Sequence, residues 1–165
     1  MLATPGPLPF SGDGRWAFEV KWDGMRALAT TARGRVRLSS RAEMDVTARF
    51  REIAESPSLA ANLADGTVLD GEIVAFDPAG RPSFSLLAPR IQGHRVNAVR
   101  VTYVVFDILR WEGQDVVSQP YAERRALLRA ALEPGPFVVA PDSFDDGQAL
   151  LDTTAAQGLE GVLAK

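Results

Sequence analysis

A nearly unbroken run of apolar and β-branched residues, 99–109, restricts the fold of this chain more than any other segment. A strand with one face in water alternates apolar and polar residues, whereas a strand covered on both faces reads as a continuous apolar run. Residues 99–109 are therefore predicted to form a strand in the centre of a sheet. A second long strand is predicted at 67–76, closed by the turn sequence Asp77-Pro78-Ala79-Gly80.

Shorter elements are predicted around these two strands. The further strands are 16–22, 26–31, 35–39, 137–140 and 161–165, and the helices are 47–55, 83–91, 118–129 and a last one from Asp145 or Asp146 to Gly158. Thr47 is predicted to cap the first helix, and Pro89 to compromise the end of the second. The proline- and glycine-rich residues 1–14 are predicted as an irregular arm, and residues 15–165 as one domain. This mixture predicts an α+β fold with mostly antiparallel sheets and flanking helices.

Residues 16–22 alternate in a way that separates a buried face from a functional face. The buried face is predicted to carry Trp16, Phe18, Val20 and Trp22, and the other face Glu19 and Lys21. Asp23 continues the Lys21 side, and Gly24 permits a sharp turn of the backbone.

Lysine is rare in this chain. Of the 18 basic residues only Lys21 and Lys165 are lysines, and all the others are arginine. A lysine amine can lose its proton and act as a nucleophile, which arginine effectively never does. The rarity fits a nucleophilic lysine, but it fits an arginine-rich composition equally well, so the count alone leaves both readings open.

Three segments pair a carboxylate with a glycine, namely Asp23-Gly24, Asp70-Gly71-Glu72 and Glu160-Gly161. The glycine allows close approach, and the carboxylate can bind a divalent cation or a ribose hydroxyl. Each pair taken singly is more often a turn. Glu72 is the exception, because it lies well inside a predicted strand, where a carboxylate needs a reason.

The composition limits where such a protein works. The chain contains no cysteine, which suits a reducing compartment, and its net charge of −3 neither indicates nor excludes nucleic acid. No apolar run approaches the ~20 residues that span a membrane, and the first ten residues do not read as a secretory signal. A cytoplasmic, nucleoid-associated protein without membrane contact is expected.

The motifs, taken in order, resemble those of the covalent nucleotidyltransferase superfamily. They are Lys21-x-Asp23-Gly24-x-Arg26, Ser40-Arg41, Asp70-Gly71-Glu72, Phe106-Asp107 and Glu160-Gly161-Val162-Leu163-Ala164-Lys165. Within the superfamily, residues 15–165 are similar to the adenylation domain of bacterial ATP-dependent DNA ligases, including the ligase part of end-joining proteins. The resemblance implies an ATP-grasp-like nucleotidyltransferase domain.

The resemblance also implies a reaction and its participants. Lys21 attacks the α-phosphate of ATP to give lysyl-AMP, AMP passes to the 5′-phosphate of nicked DNA, and the strand is sealed, in DNA repair or recombination. Mg²⁺, or Mn²⁺ as the alternative, neutralises the developing charge.

Individual roles follow from the same resemblance. The nucleotide is contacted by Glu19 and Val20 at the adenine edge, Arg26 and Arg41 at the ribose and phosphates, Glu72 at the ribose hydroxyl, Phe106 by stacking on adenine, and Lys165 near the α-phosphate. The metal is expected near Asp23, Glu72 and Glu160. The residue pattern alone favours Phe106 as a core residue of its apolar strand.

Alternating arginines indicate a surface for DNA. Arg33, Arg35 and Arg37 would line one face of a hairpin and could contact phosphates, with a solvated strand face as the alternative.

The chain departs from the family pattern in two places. Ala42-Glu43-Met44 follows Arg41 where the family has an Asn-Gly turn, and neither the last motif with paired lysines nor an OB-fold domain follows Lys165. The adenylation domain is therefore expected to be incomplete at its C-terminus, and the chain alone to self-adenylate poorly or not at all. An RNA ligase, a capping-type nucleotidyltransferase and a non-catalytic nucleotide- or DNA-binding remnant are the alternatives.

Overall fold

The computed structural model describes residues 3–9, 14–94 and 99–165. Their strands are β1 Phe18–Lys21, β2 Met25–Ala32, β3 Arg35–Ser40, β4 Val68–Ala75, β5 Val101–Trp111, β6 Gln114–Asp115, β7 Val138–Val139 and β8 Gly161–Ala164. Their helices are α1 Arg51–Ala54, α2 Pro57–Ala60, α3 Phe84–Ile91, α4 Tyr121–Ala131 and α5 Gly147–Ala156, with a 3-10 helix at Thr47–Arg49. The predicted α+β class is confirmed. The predicted arm at 1–14 lies partly outside the described residues, and its described part has no regular structure.

The larger sheet has the order β3-β2-β4-β5-β6, and β7 pairs with β5. The β5–β7 pair is parallel, and the other described pairs are antiparallel. β5 has neighbours on both sides, and its residues 101–105 are all buried, which confirms the predicted central strand. Leu59, Leu87 and Leu128, from α2, α3 and α4, are fully buried in the core that this sheet shares with the helices.

A tight turn joins β2 and β3. Arg33 and Gly34 both have positive φ, of 53° and 66°, as a type I′ hairpin turn requires. Their backbone N–H groups donate to the two oxygens of the Asp65 carboxylate, at 2.7 and 3.0 Å. Arg33 therefore lies in the turn and not on the strand face that carries Arg35 and Arg37, and its contact with DNA stays a prediction.

The second sheet pairs β1 with β8, in the register Lys21 to Gly161. β1 begins at Phe18, two residues later than predicted. The last backbone contact between the two segments is at Ala17, which exchanges two hydrogen bonds with Lys165. Trp16 lies beyond this pairing and is 43% exposed, so its predicted place on a buried face was wrong. Glu19, predicted on the opposite face, is buried instead.

Two predicted helix signals also differ in the structure. The hydroxyl of Thr47 does not cap a helix, since it accepts a hydrogen bond of 2.9 Å from the Leu38 backbone N–H. Pro89 lies inside α3, which continues to Ile91. The predicted signals at the last helix are confirmed, because Asp146 accepts from the Ala149 N–H at 3.0 Å and Gly158 has a φ of 66° just beyond the helix.

Candidate nucleotide site

Lys21 ends β1 at the opening of the site. Its Nζ forms an ion pair with the Glu160 carboxylate, which lies just before β8. Both side chains are about 40% exposed, so a ligand can reach the amine. The pairing of β1 with β8 therefore joins two motifs that are 139 residues apart in the sequence.

The segment after Lys21 packs closely on β4. A Cβ atom on Gly24 would lie 2.2 Å from the carbonyl oxygen of Ile73 and 3.0 Å from the Cγ of Glu72, which no other residue could accept without a shift. Gly24 was predicted to permit a turn, and the structure adds close approach to β4 as a second requirement. This approach brings Lys21 and Asp23 within electrostatic reach of Glu72.

Glu72 carries a strongly perturbed carboxyl group. Its pKa is raised to about 7, mainly by burial and less by the neighbouring carboxylates of Asp70 and Asp23, while Arg26 and Lys21 lower it. A carboxyl group with this pKa in a cleft is a functional-site signal.

Arg26 links β2 to both β4 and β5. Its Nε donates to Asp70 Oδ1 at 3.0 Å and its Nη2 to Asp70 Oδ2 at 2.5 Å, a bidentate pair with an almost fully buried carboxylate. This hydrogen bonding raises the pKa of Arg26 further above its usual value. The guanidinium carbon lies 5.6 Å from the centre of the Phe106 ring.

Phe106 and Lys165 form the other side of the site. Phe106 is only half-buried although it follows the five buried residues that begin β5, so its ring borders open space. Lys165 Nζ lies 4.6 Å from the centre of this ring. The same ammonium donates to Glu19 Oε2 at 2.7 Å.

Glu19 is the most buried acidic group of the site, at 2% exposure. Its Oε1 accepts a short hydrogen bond from the Tyr121 hydroxyl and lies 3.5 Å from Arg125 Nε. Burial and the hydrogen bond to Glu19 raise the pKa of Tyr121 well above its ordinary value. Helix α4 therefore contacts the site through the Glu19 carboxylate.

A family model described as ATP dependent DNA ligase domain matches residues 9–165. The chain belongs to this family. The resemblance that the motifs indicated is thereby confirmed, together with the nucleotidyltransferase fold that it implied.

Relatives in this ligase family cover the chain from end to end. It is 35% identical over 166 residues to the multifunctional non-homologous end joining protein LigD of Mycolicibacterium smegmatis, covering 100% of this chain and 21% of that protein. The identity is 38% to the LigD protein of Mycobacterium tuberculosis, with the same coverage. The chain therefore spans about a fifth of the length of these relatives.

A solved structure supports the same assignment. The structure of mycobacterial DNA ligase D complexed with ATP and MES superimposes with a TM-score of 0.82 at 36% identity, covering 99% of this chain and 52% of that one. This likeness confirms the fold of the ligase domain over the whole chain.

The structure brings most of the predicted residues of this ligase-family site together. Contacts and electrostatic interactions join Glu19, Lys21, Asp23, Arg26, Glu72, Phe106, Glu160 and Lys165, with Val20 between two of them on β1. Among the described residues, Arg41 forms no hydrogen bond or ion pair with this group, and it is exposed in the turn after β3. That turn uses Glu43 at a φ of 59°, where the family pattern has the glycine of Asn-Gly.

The hairpin arginines lie on the edge strand of the larger sheet. Arg35 and Arg37 are both exposed on one face of β3, as predicted. The Nε of Arg37 donates to Asp45 Oδ2 at 3.1 Å. The sequence pattern did not reveal this acidic partner.

The metal candidates are spread along the site. Among residues 3–9, 14–94 and 99–165, no three His, Cys, Asp or Glu side chains converge in the manner of a metal site. Asp23 and Glu160 are exposed, and Glu72 is half-buried. The same described part of the chain contains no helix that is long and apolar enough to cross a membrane.

The sequence reasoning gave no role to four residues that hold the site in place. Tyr121 and Arg125 hold Glu19, and Arg124 binds Asp107 through two hydrogen bonds of 2.8 and 2.9 Å. Asp107, part of the motif Phe106-Asp107, lies inside β5, next to Phe106. The available signal was the spacing of Tyr121, Arg124 and Arg125, which places all three on one helical face together with the buried Leu128.

Proposed function

We propose that this chain carries the nucleotide-activating step of an ATP-dependent DNA ligase, with Lys21 as the nucleophile. The neutral amine attacks the α-phosphorus of ATP, a P–N bond forms, and the bond to the pyrophosphate oxygen breaks. AMP then passes to the 5′-phosphate at a nick, and the 3′-hydroxyl displaces AMP as the strand is sealed. The contact between Lys21 and Glu160, within electrostatic reach of Glu72, is the observation that supports this proposal most strongly.

The other residues receive roles that their positions support. Phe106 borders open space and offers a π face for adenine, with Glu19 and Val20 at the edge of the base. Glu72 binds the ribose, and Arg26 contacts ribose and phosphate; the same role for Arg41 rests on the family resemblance alone. Lys165 stabilises negative charge at the α-phosphate. A mycobacterial DNA ligase D of the same fold was solved in complex with ATP, which is consistent with this use of the site.

Magnesium fits the residues that are present, with manganese as a substitute. Mg²⁺ usually binds through one or two carboxylates plus substrate phosphates, so three converging protein ligands are not needed. Burial, and to a lesser extent the neighbouring carboxylates of Asp70 and Asp23, raise the pKa of Glu72, and a bound cation would favour its ionised form. Asp23, Glu72 and Glu160 are the candidate ligands, and the bound ion would neutralise charge on the phosphates during transfer.

The proposed macromolecular substrate is nicked double-stranded DNA, in end-joining repair within the bacterial cytoplasm. Arg35 and Arg37 present two guanidinium groups on the exposed face of β3, and such groups contact the phosphate backbone irrespective of sequence. The related proteins named for non-homologous end joining support the repair context.

Incubation of the chain with Mg²⁺ and ATP labelled at the α-phosphate tests the proposal. Label should accumulate slowly on the wild type and should be absent from Lys21→Arg, which keeps the charge but cannot act as a nucleophile. GTP labelling the chain better than ATP would favour a capping-type enzyme instead. Label on the wild type and none on Lys21→Arg would exclude the non-catalytic remnant.

A further inference from the structure

We propose that Tyr121 and Arg125 of helix α4 are positioning residues that allow Lys165 to move from Glu19 to the nucleotide phosphate. The inference rests on the proposed function, because it needs a nucleotide whose α-phosphate recruits Lys165. It concerns how the site prepares this cation, and it assigns a role to two residues that have no contact with the expected ligand.

The starting point is the buried carboxylate of Glu19. A buried carboxylate without compensating donors is strongly destabilising. Lys165 compensates Oε2, while the Tyr121 hydroxyl and Arg125 face Oε1. If Lys165 were the sole partner, its departure to a phosphate would leave the carboxylate uncompensated and would be prevented by that cost.

The three partners of Glu19 differ in their freedom. Arg125 is only 4% exposed and is tied to the backbone carbonyls of Pro141 and Phe106, so it stays with Glu19. Lys165 has 23% of its side chain exposed and lies over the Phe106 ring, on the open side of the site. Of the three, Lys165 is therefore the partner that can turn towards a ligand.

Arg125 also has unused capacity to hold Glu19. Its Nε is buried, has no hydrogen bond, and lies 3.5 Å from Glu19 Oε1. A small approach would turn this ion pair into a direct charge-assisted hydrogen bond when Lys165 leaves. Tyr121 already supplies a short hydrogen bond to the same oxygen. The two α4 residues together can take over the compensation of the carboxylate.

The lysine composition of the chain makes this exchange directly measurable. Isotope labelling of lysine side chains gives NMR signals from Lys21 and Lys165 alone, and each is assigned by an arginine substitution. The probe is the magnesium complex of α,β-methylene-ATP, which carries the base and phosphates but cannot release pyrophosphate. The titration follows how much probe is needed to move the Lys165 signal.

The decisive variant is Tyr121→Phe, which removes only the hydroxyl. It should raise the probe concentration needed to move the Lys165 signal by about tenfold, as expected for one hydrogen bond to a charged group. Tyr103→Phe is the matched control, because it removes the other tyrosine hydroxyl of the chain, which is buried against Ala27 and Leu69. It should lower stability and leave the titration unchanged.

A second comparison separates positioning from a general loss of structure. In a Glu19→Gln background there is no charge to compensate, so Tyr121→Phe should cause no further change in the titration. A Tyr121→Phe protein that titrates like the wild type would overturn the inference, as would an equal tenfold loss in the Glu19→Gln background. If the probe moves neither lysine signal of the wild type, the proposed nucleotide site fails and the inference fails with it.

Discussion

Replacing Gly71 by alanine should destabilise the fold by about 2 kcal/mol, within the ~1–3 kcal/mol range for an overpacked core. A Cβ on Gly71 would lie 2.6 Å from Tyr103 Cε2, 2.9 Å from Tyr103 Cζ and 2.6 Å from the carbonyl oxygen of Val104. The ring cannot move aside easily, because it is fully buried and its hydroxyl lies 2.8 Å from the Ala27 carbonyl oxygen and 3.1 Å from that of Leu69. The glycine between Asp70 and Glu72 is therefore needed for packing.

Urea unfolding followed by circular dichroism measures this cost directly. For a domain of this size, about 2 kcal/mol corresponds to a fall in Tm of roughly 4–8 °C. Gly6→Ala is the matched control, since a Cβ there meets nothing within 4 Å, and it should change stability by less than about 0.5 kcal/mol. In a Tyr103→Leu background Gly71→Ala should cost less. The same cost in both backgrounds, or none in the wild type, would refute the argument from the tyrosine ring.

Further predictions concern charged residues. Burial raises the pKa of Glu52, but the hydrogen bond and charge of Arg90 lower it more. The stability that ionised Glu52 adds to the fold is therefore present above the unfolded pKa and is lost as pH falls through the folded pKa. Glu52→Gln should cost about 1–3 kcal/mol near pH 7 and less in acid, measured by urea unfolding. Glu72 has the opposite sign, because burial raises its pKa to about 7 and its ionised form is penalised in the fold. In EDTA, Glu72→Gln should stabilise the protein at pH 8, with the gain vanishing towards pH 4. Arg35→Gln should weaken binding of nicked duplex and reduce its salt slope by about 1 in fluorescence anisotropy, and Arg37→Gln should have a smaller effect because Arg37 is already ion-paired.

The strands of the larger sheet could be predicted because their patterns are local. The apolar run at 99–109 implied burial on both faces, and β5 is buried through most of its length. The hairpin signal around Gly34 and the turn after β4 are likewise set by neighbouring residues. The order of the nucleotidyltransferase motifs also predicted which residues share a site. For Phe106, the periodicity of the sequence alone could not have predicted this.

The features that the sequence did not reveal depend on contacts between distant segments. Alternation predicted Trp16 on a buried face and Glu19 on the opposite, functional face. Trp16 is exposed because it lies beyond the β1–β8 pairing, and Glu19 is buried because donors on α4 compensate its carboxylate. The residues near Glu19 in the sequence do not predict its contacts with Tyr121 and Arg125, which lie about a hundred residues later. The Thr47 hydroxyl likewise accepts a hydrogen bond from the backbone of Leu38 on β3 and does not cap a helix.

The most direct test of the central claim is to find where AMP becomes attached. After incubation of the 165-residue chain with ATP and Mg²⁺, peptide mapping by mass spectrometry should locate one AMP on Lys21 through an acid-labile bond to its Nζ. Lys165 is an internal control, as the other lysine of the chain and a close neighbour of the site. AMP on Lys21 alone is the predicted result. AMP on Lys165, whether alone or together with Lys21, would contradict the account.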